Sequence, residues 1–167
     1  MSPISKELIK TCADTLKDDL DKIRVCLNSM DEDKIWWRAN AASNSLGNIL
    51  LHLAGNVRQY ILCGIGDRED TRVRSFEFEA KGPIPKTDLM NKLTATVEQA
   101  MQIILGCDED KLVRTKQIQG KMQSGTMIII HVTEHFSYHT GQIAYMTKSW
   151  SGKSLDLSDD RKLENRK

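Results

Sequence analysis

Three histidines recur at intervals of four residues in one apolar segment of the chain, His131-Val-Thr-Glu-His-Phe-Ser-Tyr-His-Thr-Gly-Gln142. Side chains four residues apart lie on one face of an α-helix. The fourth histidine, His52, lies in a second apolar segment with helical periodicity. The spacing therefore favours a helical fold in which two helices pack together and bring their imidazoles close to one another.

Four segments repeat apolar residues at the threes and fours of an amphipathic helix, and together they predict an all-α fold. The first segment begins with Ser2 and Pro3, where the serine caps the helix and the proline takes its first position. Ser43 or Ser45 can cap the second segment, and Thr87 caps the third. The predicted helices run from residue 3 to about 28–31, from 43 or 45 to about 63, from 87 to 106 and from about 124–126 to about 148.

Long connections separate these helices. Residues 64–85 are bounded by glycine, rich in charge and closed by two prolines, so we predict no helix there and interpret them as a crossover between helices 2 and 3. Residues 68–79 are interpreted as a solvated charge run, and the approach of Arg72 and Arg74 to an anionic ligand is the less favoured alternative. Alternating apolar positions within residues 107–125 are typical of a short extended or hairpin-like piece.

We expect one bundle domain over residues 1–148 and a polar tail over residues 149–167 that either docks loosely through Trp150, Leu155 and Leu157 or frays. The net charge of +1 argues against nucleic acid as a partner. No apolar run approaches the roughly 20 residues of a membrane-spanning helix. The four cysteines are widely spaced without a CxxC pair, which predicts free thiols and a cytoplasmic location.

A helical wheel at about 100° per residue separates the histidines of the fourth helix. On this wheel His139 falls at the centre of the apolar stripe, His135 beside it and His131 at its edge. His135 and His139 can therefore share one metal ion, while His131 is assigned to the surroundings of the site. Glu134 points about 100° away from His135, so it is not assigned as a general base. The stripe is the mean direction of Ile128, Val132, Ile143 and Met146.

A third ligand must come from another helix, and His52 is the remaining histidine. Asn48 and Asn56 lie one turn away on either side and suit a polar pocket around it. His52, His135 and His139 are therefore the candidate ligands of a three-histidine site, which leaves open positions for water or substrate. Spacing alone leaves a second interpretation open, in which these are hydrogen-bonded structural histidines of the core.

Four motifs of the chain carry a resemblance to a known superfamily. They are Ile35-Trp-Trp-Arg38, Ser45-Leu-Gly-Asn-Ile-Leu-Leu-His-Leu-Ala-Gly-Asn56, Gly82-Pro-Ile-Pro85, and His131-Val-Thr-Glu-His-Phe-Ser-Tyr-His-Thr-Gly-Gln-Ile143. Over roughly residues 32–148 the chain resembles the DinB-like (YfiT-like) superfamily, in particular an uncharacterised bacterial branch. The resemblance implies a four-helix bundle of up-down-down-up topology with its long crossover after the second helix. It also implies homodimers and a divalent metal, often nickel or zinc, held by His52, His135 and His139.

Characterised members of that superfamily include S-transferases and isomerases that use mycothiol, bacillithiol or glutathione. By this analogy, the chain is expected to be a thiol-dependent S-transferase that acts on a small-molecule substrate, with a low-molecular-weight thiol beside the metal. Two alternatives stay open, namely a metal-dependent hydrolase and a non-catalytic metal-binding bundle of a stress response. Three imidazoles do not select the metal, since zinc, nickel, iron and copper all accept them.

Overall fold

A computed structural model describes residues 1–157 of the chain. Over these residues the protein is mostly helical with one small antiparallel hairpin, which fits the predicted all-α class. The helices are α1 (Pro3–Asn28), α2 (Leu46–Val57), α3 (Arg74–Glu79), α4 (Lys86–Leu105), α5 (Glu109–Val113) and α6 (Gly125–Ser151), and the strands are β1 (Thr115–Ile118) and β2 (Lys121–Ser124). A short 3₁₀ turn covers Glu32–Lys34, and α2 continues as a π-helix over Arg58–Ile65.

Side-chain caps fix the starts of three of the long helices. The hydroxyl of Ser2 accepts from the amide of Ser5 at 3.1 Å, as the sequence predicts. Ser45 and Asn48 form a reciprocal capping box at the start of α2. The hydroxyl of Ser124 caps α6. The predicted Thr87 cap is wrong, because the carbonyl of Pro85 already accepts hydrogen bonds from two amides of the first turn and α4 starts one residue before Thr87.

The long helices share one apolar core. α1 packs against α4 and α6, and α2 packs against the same two helices. Full burial of a Leu or Ile side chain stabilises a fold by roughly 1.5–3 kcal/mol, so this core supplies the main driving force. The packing places the inner faces of α2 and α6 against each other. The largest fully buried side chains include Leu16, Ile23, Leu27, Leu46, Ile49, Leu50, Leu53, Ile61, Leu93 and Phe136.

The crossover between α2 and α4 contains a helix, which the sequence interpretation missed. α3 is only six residues long, and tertiary contacts hold its carboxyl end. The side chain of Arg38 donates to the carbonyl of Phe78 at 2.8 Å, and the Asn48 amide donates to the carbonyl of Glu77 at 2.9 Å. A helix this short is not stable on its own and depends on these hydrogen bonds from outside it. Because the donors come from distant parts of the chain, the local sequence pattern did not predict the helix.

Trp36 fastens the end of the crossover to α2. Its ring packs where glycine leaves room, because a Cβ at Gly47 would lie 2.9 Å from the ring and a Cβ at Gly82 would lie 3.0 Å from it. Gly82 also has a φ of +91°, a conformation that favours glycine. The indole N–H donates to the carbonyl of Ile84 at 3.1 Å. Trp36 therefore sets the path by which the crossover returns to α4.

The predicted hairpin and the docking of the tail are both present. β1 pairs with β2 in antiparallel register across a turn at Gln119 and Gly120, which both have positive φ. α6 extends to Ser151, three residues beyond its predicted end. Trp150, Leu155 and Leu157 are partly buried against the core, while the rest of the predicted tail, residues 158–167, lies outside the described part.

No helix within residues 1–157 is long and apolar enough to cross a membrane.

Candidate metal centre

The structure brings three of the four histidines together. His52 comes from α2, and His135 and His139 come from successive turns of α6. Each offers a ring nitrogen, and these nitrogens all lie within 4.8 Å of one another. The Nε2 atoms of His52 and His135 are 2.9 Å apart. The three side chains therefore form a cluster that could hold a metal ion.

The wheel placed His139 at the centre of the buried stripe of α6, and this detail is wrong. Phe136 and Thr140 occupy that centre and are 0% and 4% exposed, while His135 and His139 are only half-buried. A buried phenylalanine ring removes more apolar surface from water than an imidazole does, so the side of α6 that carries Phe136 faces the core. The histidines consequently lie at the border of the core, where the cluster can be reached by an external ligand.

Glu77 orients His52. Its Oε2 lies 2.9 Å from Nδ1 of His52, and both side chains are buried. A carboxylate can only accept here, so Nδ1 carries the proton and Nε2 presents its lone pair to the other two histidines. Metal-ligating histidines commonly donate their second ring N–H to a carboxylate in this way. Glu77 therefore fixes the tautomer of His52 that metal binding requires.

Arg72 in turn holds Glu77. Its Nε donates to Oε1 at 2.6 Å and its Nη2 donates to Oε2 at 2.7 Å, so the pair is bidentate. Burial raises the pKa of Glu77, but the hydrogen bonds from Arg72 and His52 outweigh it and lower that pKa below its ordinary value. Nη2 also lies 3.3 Å from Nδ1 of His52. Both atoms donate to the same oxygen, so this approach is a contact between two donors.

The interpretation of residues 68–79 as a solvated charge run is therefore wrong for its two central charges. Arg72 and Glu77 are buried against α2. Gly55 makes this possible, because a Cβ at that position would lie 2.0 Å from Oε1 of Glu77. Asn48 was predicted to lie beside the metal site. Its side-chain amide donates to the carbonyls of Glu77 and Ala80, so it holds the backbone of the segment that carries Glu77.

Gln142 orients His139. Its Oε1 lies 2.9 Å from Nδ1 of His139, which places the ring proton on Nδ1. Burial lowers the pKa of His139 although this hydrogen bond opposes the effect. The pKa of His135 falls to about 4, first through burial and then through the neighbouring His139, His52 and His131. Both imidazoles of α6 are therefore neutral at pH 7, the form that binds a metal.

The other predicted residues surround the cluster. His131 stays outside it, and its ring stacks on that of His135 with centroids 5.7 Å apart. The ring of Tyr60 also lies next to that of His131, with centroids 4.8 Å apart. Asn56, one turn beyond His52 on α2, is buried, and its Oδ1 has no hydrogen-bond partner within residues 1–157. A buried amide oxygen without a partner is costly and marks a place where a ligand or water fits.

The donor set fits a divalent metal of borderline softness. Imidazole nitrogens bind zinc at about 2.0–2.1 Å in tetrahedral geometry, which places two such nitrogens roughly 3.3–3.4 Å apart. The 2.9 Å separation of two Nε2 atoms lies below that distance and the 4.8 Å limit for the whole cluster lies above it, so small side-chain rotations would bring the three nitrogens to one ion. Two of the three rings already donate Nδ1–H to acceptors. Three imidazoles leave the identity of the metal open.

An uncharged cleft of about 750 Å³ adjoins the cluster through Gln142. Trp37 and Trp150 meet edge to face at its wall, with centroids 4.2 Å apart. The connection between α1 and α2 supplies one side of the cleft and the last turns of α6 supply the other. We call it the aromatic cleft. Its lining consists of Trp37, Ala39, Ala42, Ser43, Asn44, Gln142, Tyr145, Met146, Ser149 and Trp150.

Three contributors to the site were not found from the sequence: Glu77, Arg72 and Gln142. Gln142 could have been found, because it lies three residues after His139 on the same helix face. Glu77 gave no local signal, since its partner His52 is 25 residues away in the chain. The glycine at position 55, inside a helix and three residues after His52, was the available indication of a close approach there.

Comparison with known proteins places the chain at the level of a family. No curated protein matches it. The profile of a family described as "Protein of unknown function (DUF1572)" matches residues 3–158, nearly the whole chain. This match does not extend to the DinB-like superfamily, which stays a resemblance. The chain therefore belongs to the DUF1572 family, whose function is unknown.

Proposed function

We propose that this protein is a metal-dependent enzyme in which His52, His135 and His139 bind one divalent cation. The supporting observation is the arrangement of the ring protons. Glu77 and Gln142 accept them from Nδ1 of His52 and His139, so the free lone pairs of these two rings are on Nε2, and one ring nitrogen of each of the three histidines lies within 4.8 Å of the others. Histidines kept only for packing need no such orientation, and the Nε2 atoms of His52 and His135 lie 2.9 Å apart, close enough to share one cation.

The resemblance to the DinB-like superfamily supports further parts of the proposal. We propose an up-down-down-up four-helix bundle formed by α1, α2, α4 and α6, with nickel or zinc as the metal. The location of α3 in the crossover after the second long helix is consistent with that topology. A homodimer and a cytoplasmic location stay predictions.

The kind of nucleophile that suits this site depends on whether a carboxylate near the cluster could act as a general base. A cation bound by three imidazoles would lower the pKa of a thiol or of water and so supply a nucleophile. Glu77 is already bound to Arg72 and His52, and Glu134 is exposed. Within residues 1–157, no other carboxylate is hydrogen-bonded to these histidines. The site therefore favours a nucleophile that needs no protein base.

A low-molecular-weight thiol suits this requirement better than water does. A thiol has an ordinary pKa near 8.5, so a modest decrease produces the thiolate at neutral pH, whereas water needs a much larger decrease. The aromatic cleft beside Gln142 has no charged side chain in its lining, which fits a neutral apolar electrophile. We therefore favour a thiol-dependent S-transferase over a hydrolase.

Metal analysis of protein purified without a histidine tag tests the site. We expect about one equivalent of metal in the wild type, and a loss of most of it in His52→Ala and in His139→Ala. His131→Ala is the matched control, because it removes a neighbouring imidazole that is not in the cluster. Equal metal content in all four proteins would contradict the proposed ligands.

A second experiment separates the possible activities. The cobalt-substituted protein is mixed with glutathione, bacillithiol or mycothiol, and a thiolate-to-metal charge-transfer band is recorded. We expect a band with at least one thiol, and transfer of that thiol to an aryl halide with release of halide. Hydrolysis of an aryl ester without any band would support the hydrolase instead. Metal binding with neither activity would support a non-catalytic bundle.

A further inference from the structure

A second cleft, of about 500 Å³, lies between α2, the crossover and α4. α2 and its π-helical continuation form one wall with Leu51 and Arg58. The crossover forms the second wall with Val73 and Phe76, and α4 forms the third with Lys92. We call it the crossover cleft. Its volume lies in the range of small-molecule sites, roughly 300–1,000 Å³.

The crossover cleft carries positive charge that the protein does not neutralise. Arg58 makes one long hydrogen bond, of 3.4 Å, to the carbonyl of Glu69. Neither Arg58 nor Lys92 has a carboxylate within 4.0 Å among residues 1–157. Arg72 and Glu77 also line the cleft, but they neutralise each other. The cleft therefore presents two free cations, whose unused donors match an oxyanion.

The same cleft exposes apolar side chains. Val73 and Phe76 are 65% and 54% exposed, although both belong to residue types that usually lie inside. Leu51 and Ala54 add apolar surface to the α2 wall and are themselves buried. Exposed apolar groups next to free cations indicate a surface that a bound molecule covers. Such a molecule would place an apolar group on Val73 and Phe76 and an anionic group near Arg58 and Lys92.

We propose that the crossover cleft binds a small organic oxyanion, a carboxylate or a phosphate monoester, that carries an apolar substituent. This site is separate from the histidine cluster and does not depend on the proposed enzymatic activity. The two are joined by Glu77, which lines the cleft and binds His52. A ligand that bridges α2, the crossover and α4 would reduce local opening of the crossover, and so would hold Glu77 against His52 more firmly.

Calorimetric titration of the full-length protein tests the proposal. The probes are phenyl phosphate and phenylacetate, which distinguish the two anionic groups, inorganic phosphate, which lacks the apolar part, and benzyl alcohol, which lacks the charge. We expect at least one aromatic anion to bind, and to bind more tightly than both inorganic phosphate and benzyl alcohol. Its binding should also slow amide hydrogen exchange within residues 71–80.

Substitutions locate the binding. Arg58→Gln and Lys92→Gln should each raise the Kd of the aromatic anion about tenfold, which is the loss expected for one charge-assisted hydrogen bond. Lys121→Gln is the matched control, because it removes an equally exposed positive charge on β2, outside the cleft. Both cleft side chains are at least partly exposed, so we expect the variants to fold, and thermal unfolding curves that coincide with that of the wild type would verify this. Val73→Ser should weaken binding of the aromatic anion and leave inorganic phosphate unchanged.

Three outcomes would overturn the proposal. The first is that neither aromatic anion binds, and the second is that benzyl alcohol binds as tightly as they do. The third is a Kd that is unchanged in Arg58→Gln and in Lys92→Gln. If binding disappears in His139→Ala but persists in Lys92→Gln, the anion occupies the metal centre and the crossover cleft is not its site. Loss of metal in His139→Ala without any change in anion binding supports two independent sites.

Discussion

Replacing Glu77 with glutamine tests the contact on which the histidine cluster depends. The substitution keeps the shape of the side chain and removes its charge. Glu77 accepts from Nδ1 of His52 at 2.9 Å and from two nitrogens of Arg72 at 2.6 and 2.7 Å. In Glu77→Gln the guanidinium of Arg72 stays buried, with 3% of its side chain exposed, and has lost its counter-charge. His52 also loses the acceptor that fixes its tautomer.

The expected magnitudes follow from burial. Removing one partner of a buried ion pair costs about 3–5 kcal/mol, and the glutamine amide retains part of the hydrogen bonding, so we expect a loss of about 3 kcal/mol in the free energy of unfolding. With a urea m-value of about 2 kcal/mol/M, the unfolding midpoint falls by about 1.5 M. The protein stays folded in water if its stability is the usual 5–15 kcal/mol. Metal affinity should fall by about 10–100-fold, as it does when the carboxylate behind a ligating histidine is lost.

Urea unfolding of the metal-free protein and metal titration by calorimetry measure the two effects separately. Glu79→Gln is the matched control, since Glu79 is an exposed carboxylate on the same short helix and should show neither effect. An unfolding free energy within 1 kcal/mol of the wild type and an unchanged metal affinity in Glu77→Gln would refute the assigned role of this carboxylate.

Three further predictions concern the surroundings of the cluster. The metal-free protein should lose stability as the pH falls from 6.5 toward 4, because unfolded His135 takes up a proton near its ordinary pKa of 6.5 while the folded residue, with a pKa of about 4, stays neutral. The loss in the free energy of unfolding is at most about 3 kcal/mol. The urea midpoint of His135→Gln should therefore change less with pH across this range than that of the wild type. Gly55→Ala should destabilise the fold by about 1–3 kcal/mol and weaken metal binding, since the new Cβ would lie 2.0 Å from Oε1 of Glu77. Urea unfolding and calorimetric metal titration measure these two effects. Asn48→Ala removes buried hydrogen bonds to the carbonyls of Glu77 and Ala80, and thermal unfolding should show a loss of about 1–3 kcal/mol.

The long helices and their caps could be predicted because the information lies close together in the chain. The apolar period reveals an amphipathic helix within a few turns, and Ser2 and Ser45 act on amides three residues away. α3 could not be predicted in this way. It has six residues, and Arg38 and Asn48, from outside the helix, bind its final carbonyls. A segment whose backbone is satisfied from a distance shows no local helical signal, and its charges then resemble those of a solvated loop.

The residues of the candidate site also divide into those with a signal in the local sequence and those without one. The three candidate ligands could be proposed because histidine is rare in this chain, and the predicted helices place His52, His135 and His139 on faces that can meet. The groups that set their protonation could not, because carboxylates are common and one buried glutamate looks like any other in the sequence. What distinguishes Glu77 is the space left at Gly55 and the guanidinium of Arg72, and neither is visible until the crossover folds back on α2.

If the buried arginine–glutamate pair exists to hold one tautomer of His52, then replacing both partners with apolar residues should restore stability without restoring metal affinity. The double variant Arg72→Met/Glu77→Met therefore separates the structural role of the crossover from its role at the metal site.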